Sequence, residues 1–152
     1  MKKIITVGLV VFIVLSSVKL AAQPSLKASM ERGKKVYEIT CIACHQADGA
    51  GVQRMNPTLV KTKWVLGDKR ALSKIVLNGL QGGEIEIDGD NFHNPMPPQG
   101  ALLNDQQIAD VLTYVRNSFG NKASLVTAAE VRAARGIKKT ISAKPIKKTT
   151  KQ

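Results

Sequence analysis

The chain has 152 residues, the length of one domain, and is strongly basic, with 23 Lys and Arg against 11 Asp and Glu. The charge sits at the ends: three basic residues fall within 1–22 and six within the last sixteen, leaving 14 basic against 11 acidic side chains over 23–136. That near-balance, with only 4% aromatic residues, excludes nucleic-acid binding as the meaning of the high charge.

Residues 1–22 read as a secretory signal peptide. Lys2 and Lys3 precede an apolar run over 4–15, broken only by Thr6 and Gly8, and small residues follow to Ala21-Ala22. Cleavage is expected near Ala22-Gln23, placing the mature protein in the periplasm, soluble or peripheral to the membrane. The alternative is an uncleaved anchor, but the run is short of the roughly 20 residues a spanning helix needs, and Lys19 closes it.

The domain is expected over 23–120. Ser29 is a candidate N-cap for a first helix, in which Met30, Gly33, Val36 and Tyr37 share one face. Gly33 and Tyr37 lie four apart, a small residue beside a large one, which suits close crossing by another helix.

The run Cys41-Ile42-Ala43-Cys44-His45 follows that helix. Two thiols separated by two residues can each form a thioether with one vinyl group of haem, and the adjacent histidine then lies under the iron as its proximal ligand. Three other chemistries use similar residues. A disulfide is the usual meaning of two cysteines in an exported chain, but the adjacent histidine changes that reading. A redox dithiol would sit at a helix start within a strand–helix repeat, which is absent here. A structural zinc site needs four ligands, and the remaining histidine, His93, lies far along the chain with no second pair. One covalently bound haem c is therefore expected.

Pro57 offers a carbonyl without a competing N–H, which suits orientation of the His45 imidazole through its second nitrogen. Leu59 is expected to pack on the haem face. Trp64, the single tryptophan, has two readings that stand level: its indole N–H donates to a haem propionate, or it simply packs. A short helix is predicted over 68–77, capped by Asp68 and followed by Gly79, with Leu72, Ile75 and Val76 on one face. Alternation from Glu84 to Ile87 and the pair Asp88-Gly89 predict a β-hairpin near 84–93, its four carboxylates a solvated face.

For the sixth iron ligand Met96 is preferred. It lies in Asn94-Pro95-Met96-Pro97-Pro98, where three prolines stiffen an extended loop able to hold a weak thioether ligand. Met30 and Met55 are poorly placed along the chain, and His93 is the runner-up, more simply read as an exposed loop residue. His/Met ligation raises the reduction potential relative to two histidines and closes the open iron position that a peroxidase or gas-binding protein requires.

A last long helix is predicted over 105–119. Asn104 and Gln107 form its capping box, Ile108, Val111, Leu112, Val115 and Phe119 its apolar stripe, and Gly120 its C-terminal stop. It should cross the first helix near Gly33 and Tyr37. A second capping box, Thr127 with Glu130, opens a short helical extension within 121–136, which Gly136 ends. Residues 137–152 lack the apolar surface to fold alone. They read as a disordered basic tail or, on a functional reading, as an electrostatic tether to acidic lipid headgroups or an acidic partner.

Cys41-x-x-Cys44-His45, Pro57-x-Leu59, Met96 in its proline loop and the two terminal helices resemble class I cytochrome c. The stretches Gly67-Asp68, Leu77-Asn78-Gly79-Leu80 and Val111 to Asn117, with the acidic hairpin, are similar to mono-haem domains accompanying quinoprotein dehydrogenases and some respiratory oxidases. The resemblance implies an all-α class I cytochrome c fold with a small hairpin insertion. It implies an electron carrier, not an enzyme, cycling Fe(III)/Fe(II) between an exported dehydrogenase and a respiratory acceptor, as a shuttle or as a haem subunit. Cys41 and Cys44 would attach the haem, with His45 proximal and Met96 distal.

Overall fold

The computed structural model describes residues 25–81 and 85–136. The signal segment, Glu84 and the basic tail expected from sequence lie outside the described residues. In chain order the elements are α1 (Leu26–Thr40), α2 (Ile42–His45), α3 (Lys63–Leu66), α4 (Lys69–Asn78), β1 (Ile85–Ile87), β2 (Asp90–Phe92), α5 (Asp105–Val115) and α6 (Ala128–Arg135). The helical expectation with one small hairpin is met.

α1 starts one turn earlier than expected. Its N-cap is Ser25, whose side chain accepts from the Ala28 N–H at 3.2 Å. Ser29 is inside the helix and buried; its hydroxyl donates to Asp110 Oδ1 at 2.6 Å. Two serines four apart look alike to a capping rule, and only packing against α5 separates them.

α1 and α5 cross at Gly33. A Cβ there would lie 2.0 Å from the Asp110 carbonyl oxygen and 2.8 Å from the Tyr114 Cβ, so only glycine lets the backbones approach this closely. Asp110 brings a carboxylate into the crossing. Besides Ser29 it accepts two bonds from the Arg32 guanidinium, at 2.7 and 2.8 Å, and one from Gln106 Nε2 at 3.0 Å. A buried charge with this many donors has its desolvation offset.

α4 has the expected Asp68 cap, with 2.7 Å to the Ala71 N–H. The hairpin pairs Ile87 with Asp90 across Asp88 and Gly89, both at positive φ (53° and 94°), as a tight two-residue turn requires. Glu86, Asp88 and Asp90 are exposed while Ile87 and Phe92 are buried. No group of three or more metal-ligating side chains occurs among the described residues.

α5 stops at Val115 rather than running to 119. Asn121 Nδ2 donates to the Val115 carbonyl at 2.8 Å and Asn117 Nδ2 to the Thr113 carbonyl at 3.0 Å, so side-chain amides take carbonyls that a longer helix would have used. Phe119 and Gly120 both turn left-handed, at φ 59° and 77°, so Gly120 closes a turn and is not the stop residue of α5. Phe119 still packs inward, its ring 5.4 Å from Tyr37 and 5.7 Å from Tyr114.

α6 is part of the core. Val126, Val131 and Ala134 are buried in one cluster with Leu72, Leu77, Ile108, Ala109 and Leu112. No helix among the described residues is long and apolar enough to cross a membrane.

Candidate haem-binding site

α1 delivers the chain to the single turn α2. The Cys41 N–H donates to the Tyr37 carbonyl at 2.9 Å, and the Gln46 N–H closes the turn on Ile42 at 2.9 Å. Gln46 then adopts φ 62°, and the Tyr37 hydroxyl donates to its carbonyl at 2.6 Å, fixing where the chain leaves. Cys41 and His45 are four residues apart and share the inner face, while Cys44 is exposed.

The chain folds back through 49–59. The Leu59 N–H donates to the Gly49 carbonyl at 2.7 Å, and the Val52 N–H to the Asn56 carbonyl at 2.9 Å. Gly51 permits this: its φ is 70°, and a Cβ would sit 2.3 Å from the Asn56 carbonyl oxygen. The fold-back sets the Pro57 carbonyl 3.0 Å from His45 Nδ1. Burial pulls the His45 pKa down, against the opposing pull of the Pro57 bond, so the imidazole is neutral with Nδ1 as donor. Its other nitrogen keeps the lone pair a metal needs.

Burial, with the neighbouring Cys44 thiol adding to it, pushes the Cys41 thiol up to about 11.

Cys41, His45, Pro57, Leu59, Trp64 and Met96 come from distant parts of the chain and line one apolar slot. Of the seven residues predicted for the site, Cys44 alone is outside this lining, at the surface one residue before His45. Trp64 lies at the border of the slot, 41% exposed. Leu80 and Met96 exchange two backbone bonds of 3.0 Å, pinning the Met96 backbone to the end of α4. His93, the runner-up ligand, lines a separate polar cleft with Arg54, Asn56 and the hairpin. Met55 is half-exposed, and Met30 lines a surface groove with Leu26 and Tyr114.

The donor set and the slot fit a haem. The wall is overwhelmingly apolar, and a neutral imidazole, a thioether and a partly buried thiol line it. Gln99 adds an unsatisfied atom: its Nε2 donates to the Pro97 carbonyl at 3.0 Å, while its buried Oε1 has no hydrogen-bond partner among the described residues.

Sequence reasoning missed several parts of this wall. Gln99 follows the proline loop and carries no motif. Ile87 enters from the hairpin, where the alternation with Glu86 was the available signal. α3 was not foreseen; Thr62 caps it through the Val65 N–H at 3.1 Å. Arg116 is buried and donates to the carbonyls of Val65 (2.5 Å), Gly67 (3.1 Å) and Ser124 (3.1 Å), tying α3 to the segment after α5.

Residues 30–119 match the family model for cytochrome c. The chain is 38% identical over 111 residues to the gluconate 2-dehydrogenase cytochrome c subunit of Pantoea cypripedii, covering 69% of this chain and 24% of the relative. It is 34% identical over 101 residues to the cbb3-type cytochrome c oxidase subunit CcoP of Azospirillum brasilense, covering 62% of this chain and 30% of the relative. It is 32% identical over 117 residues to cytochrome c-552 of Thermus thermophilus, covering 71% of this chain and 87% of the relative. The chain thus spans about a quarter to a third of the length of the two subunits, and most of the length of the small cytochrome.

Proposed function

The chain belongs to the cytochrome c family, and from that premise we propose how its own residues serve electron transfer through a covalently attached haem c. Bound haem c supplies one-electron Fe(III)/Fe(II) chemistry. Cys41 and Cys44 would hold the group by thioether bonds. His45, its ring oriented by the Pro57 carbonyl, and Met96 would ligate the iron. Leu59 and the apolar wall would exclude water, and Trp64 would lie at the border, by a propionate or simply packed. No side chain is asked to move a proton. With His45 and Met96 both as ligands, the iron would keep one ligand set on oxidation and reduction.

The observation that carries this reading is the convergence of six predicted residues on one apolar slot, with His45 Nδ1 at 3.0 Å from the Pro57 carbonyl. The reading is a carrier and not a catalyst, because Met96 would occupy the position a substrate needs. Relatives named as subunits of a gluconate dehydrogenase and a cbb3-type oxidase support a dehydrogenase as donor and a respiratory oxidase as acceptor. The segment over 1–22 supports export to the periplasm. The basic residues of 137–152 support peripheral membrane contact. Salt-sensitive sedimentation with anionic vesicles, lost on truncation after Gly136, is its signature; equal sedimentation of the truncated form at low salt overturns it.

The test of the site is the absorption spectrum of the purified holoprotein, oxidised and reduced, with and without carbon monoxide. A weak long-wavelength sulfur-to-iron band, lost in Met96→Ala, and no carbon monoxide shift in the unsubstituted protein are expected. Absence of the band with a prompt carbon monoxide shift means an open iron and an enzyme or gas-binding role.

A further inference from the structure

We propose that Arg135, at the end of α6, is a positioning residue that clamps the Met96 loop and so sets how readily Met96 leaves the iron. This rests on the reading of Met96 as the distal ligand. α6 lies beyond residues 30–119, the stretch matched by the family.

The Arg135 guanidinium reaches from the last turn of α6 to the segment between Met96 and α5. Its Nη1 donates to the Gly100 carbonyl at 2.5 Å, its Nη2 to the Leu103 carbonyl at 3.1 Å and its Nε to Asp105 Oδ1 at 2.8 Å. One planar fork thus spans both ends of the turn from Gly100 to Leu103 and the first residue of α5. That turn is rigid: the N–H groups of Leu102 and Leu103 both donate to the Gln99 carbonyl, at 3.0 and 2.9 Å. The Gln99 and Gly100 N–H groups in turn donate to the Val76 and Leu77 carbonyls, at 2.9 and 3.1 Å. Gly100 lies in a narrow gap, where a Cβ would meet the Leu77 carbonyl oxygen at 2.7 Å and Arg135 Nη1 at 3.3 Å. From Gln99 back to Met96 the chain is Pro98 and Pro97, which transmit displacement rather than absorb it.

α6 can bear this load because it is anchored independently. Val131 and Ala134 are buried among α4 and α5, and Glu130 pairs with Lys69 on α4. Met96 has a second attachment, its two bonds to Leu80. Loss of the clamp should therefore loosen the loop without releasing it.

Exogenous imidazole can bind the ferric iron only in molecules whose Met96 is off, so its apparent affinity reports that fraction. The experiment titrates ferric holoprotein with imidazole, following the main haem absorption band, for the unsubstituted chain, Arg135→Ala, Arg135→Lys, Arg132→Ala and Met96→Ala. Arg135→Ala should bind imidazole about tenfold more tightly, and Arg135→Lys, which keeps the charge but not the fork, should fall between. Arg132→Ala removes a 75% exposed partner of Asp105 that touches neither loop carbonyl, and should leave the affinity unchanged.

Unchanged imidazole affinity in Arg135→Ala and Arg135→Lys, whatever their melting temperatures, overturns the clamp while leaving Met96 ligation intact. An equal shift in Arg132→Ala also overturns it, assigning the effect to charge on α6. Absence of the sulfur-to-iron band from the unsubstituted protein, or a Met96→Ala titration that matches it, overturns the ligand reading itself. If Arg135→Ala does not fold, Arg135→Lys decides alone.

Discussion

At the scale of single residues, a few positions are defined by what their neighbours cannot yield. Gly33 faces the backbone of Asp110, and backbone cannot rotate away as a flexible side chain would. Gly33→Ala is therefore expected to lower stability by about 1–3 kcal/mol or more, as overpacking does in tight cores. Urea unfolding of the holoprotein measures this, and a change within about 0.5 kcal/mol would mean that α1 and α5 separate at little cost. His45 is defined in the opposite way, by a partner. The Pro57 carbonyl selects the tautomer and burial keeps the ring neutral, so the same imidazole is at once oriented and free to ligate.

At the scale of elements, helix ends decide more than helix middles. α5 and α6 both open on full capping boxes, Asn104 with Gln107 and Thr127 with Glu130. α5 ends where the Asn117 and Asn121 side chains claim carbonyls of its last turn. Asn121 goes further, donating also to the Leu59 carbonyl at 2.9 Å and accepting from the Lys61 N–H at 2.7 Å, so the end of α5 is stitched to the loop beside the haem slot. The status of α6 is open to a direct test. An appended helix would fray alone, leaving the main transition untouched. A helix with Val131 and Ala134 in the common core should unfold with the rest. Thr127→Ala is expected to lower the single cooperative transition by about 1 kcal/mol, the usual cost of losing such a cap. Circular dichroism and tryptophan fluorescence, followed together in urea, check it. A separate early transition with an unchanged main midpoint would place α6 outside the cooperative unit.

At the scale of the molecule, the haem slot is where the core would otherwise be. Residues from α1, α3, α4, the hairpin, the Met96 loop and α5 all face it. Without the group, those apolar side chains lack a partner across the slot, and a chain of this size with few aromatics has little other core to compensate. The double variant Cys41→Ala/Cys44→Ala, purified free of haem, is expected to keep much of its far-ultraviolet circular dichroism. It should lose near-ultraviolet signal and bind a hydrophobic dye. A native near-ultraviolet spectrum without dye binding would show that the protein frame stands without the haem.

The local chemistry of this protein was legible in its residues. Cys41-x-x-Cys44-His45 points to its cofactor because two thiols at thioether spacing and a candidate iron ligand fall within five residues. The Asp68, Asn104 and Thr127 caps and the Asp88-Gly89 turn follow from hydrogen bonds that close within a few positions. What the sequence left open was settled by groups distant in the chain. Ser29 reads as a cap until Asp110, 81 residues away, takes its hydroxyl. The stripe to Phe119 reads as continuous helix until Asn121 takes the Val115 carbonyl. Residues 121–136 read as an extension until Val131 enters the core beside Leu72 and Ile108. Arg135 reads as one more surface charge until the fold brings Gly100 and Leu103 beneath it. A periodic pattern records which face of an element is apolar. Only the tertiary structure decides which distant carbonyl, carboxylate or backbone that face meets, and therefore where each element stops and what it holds.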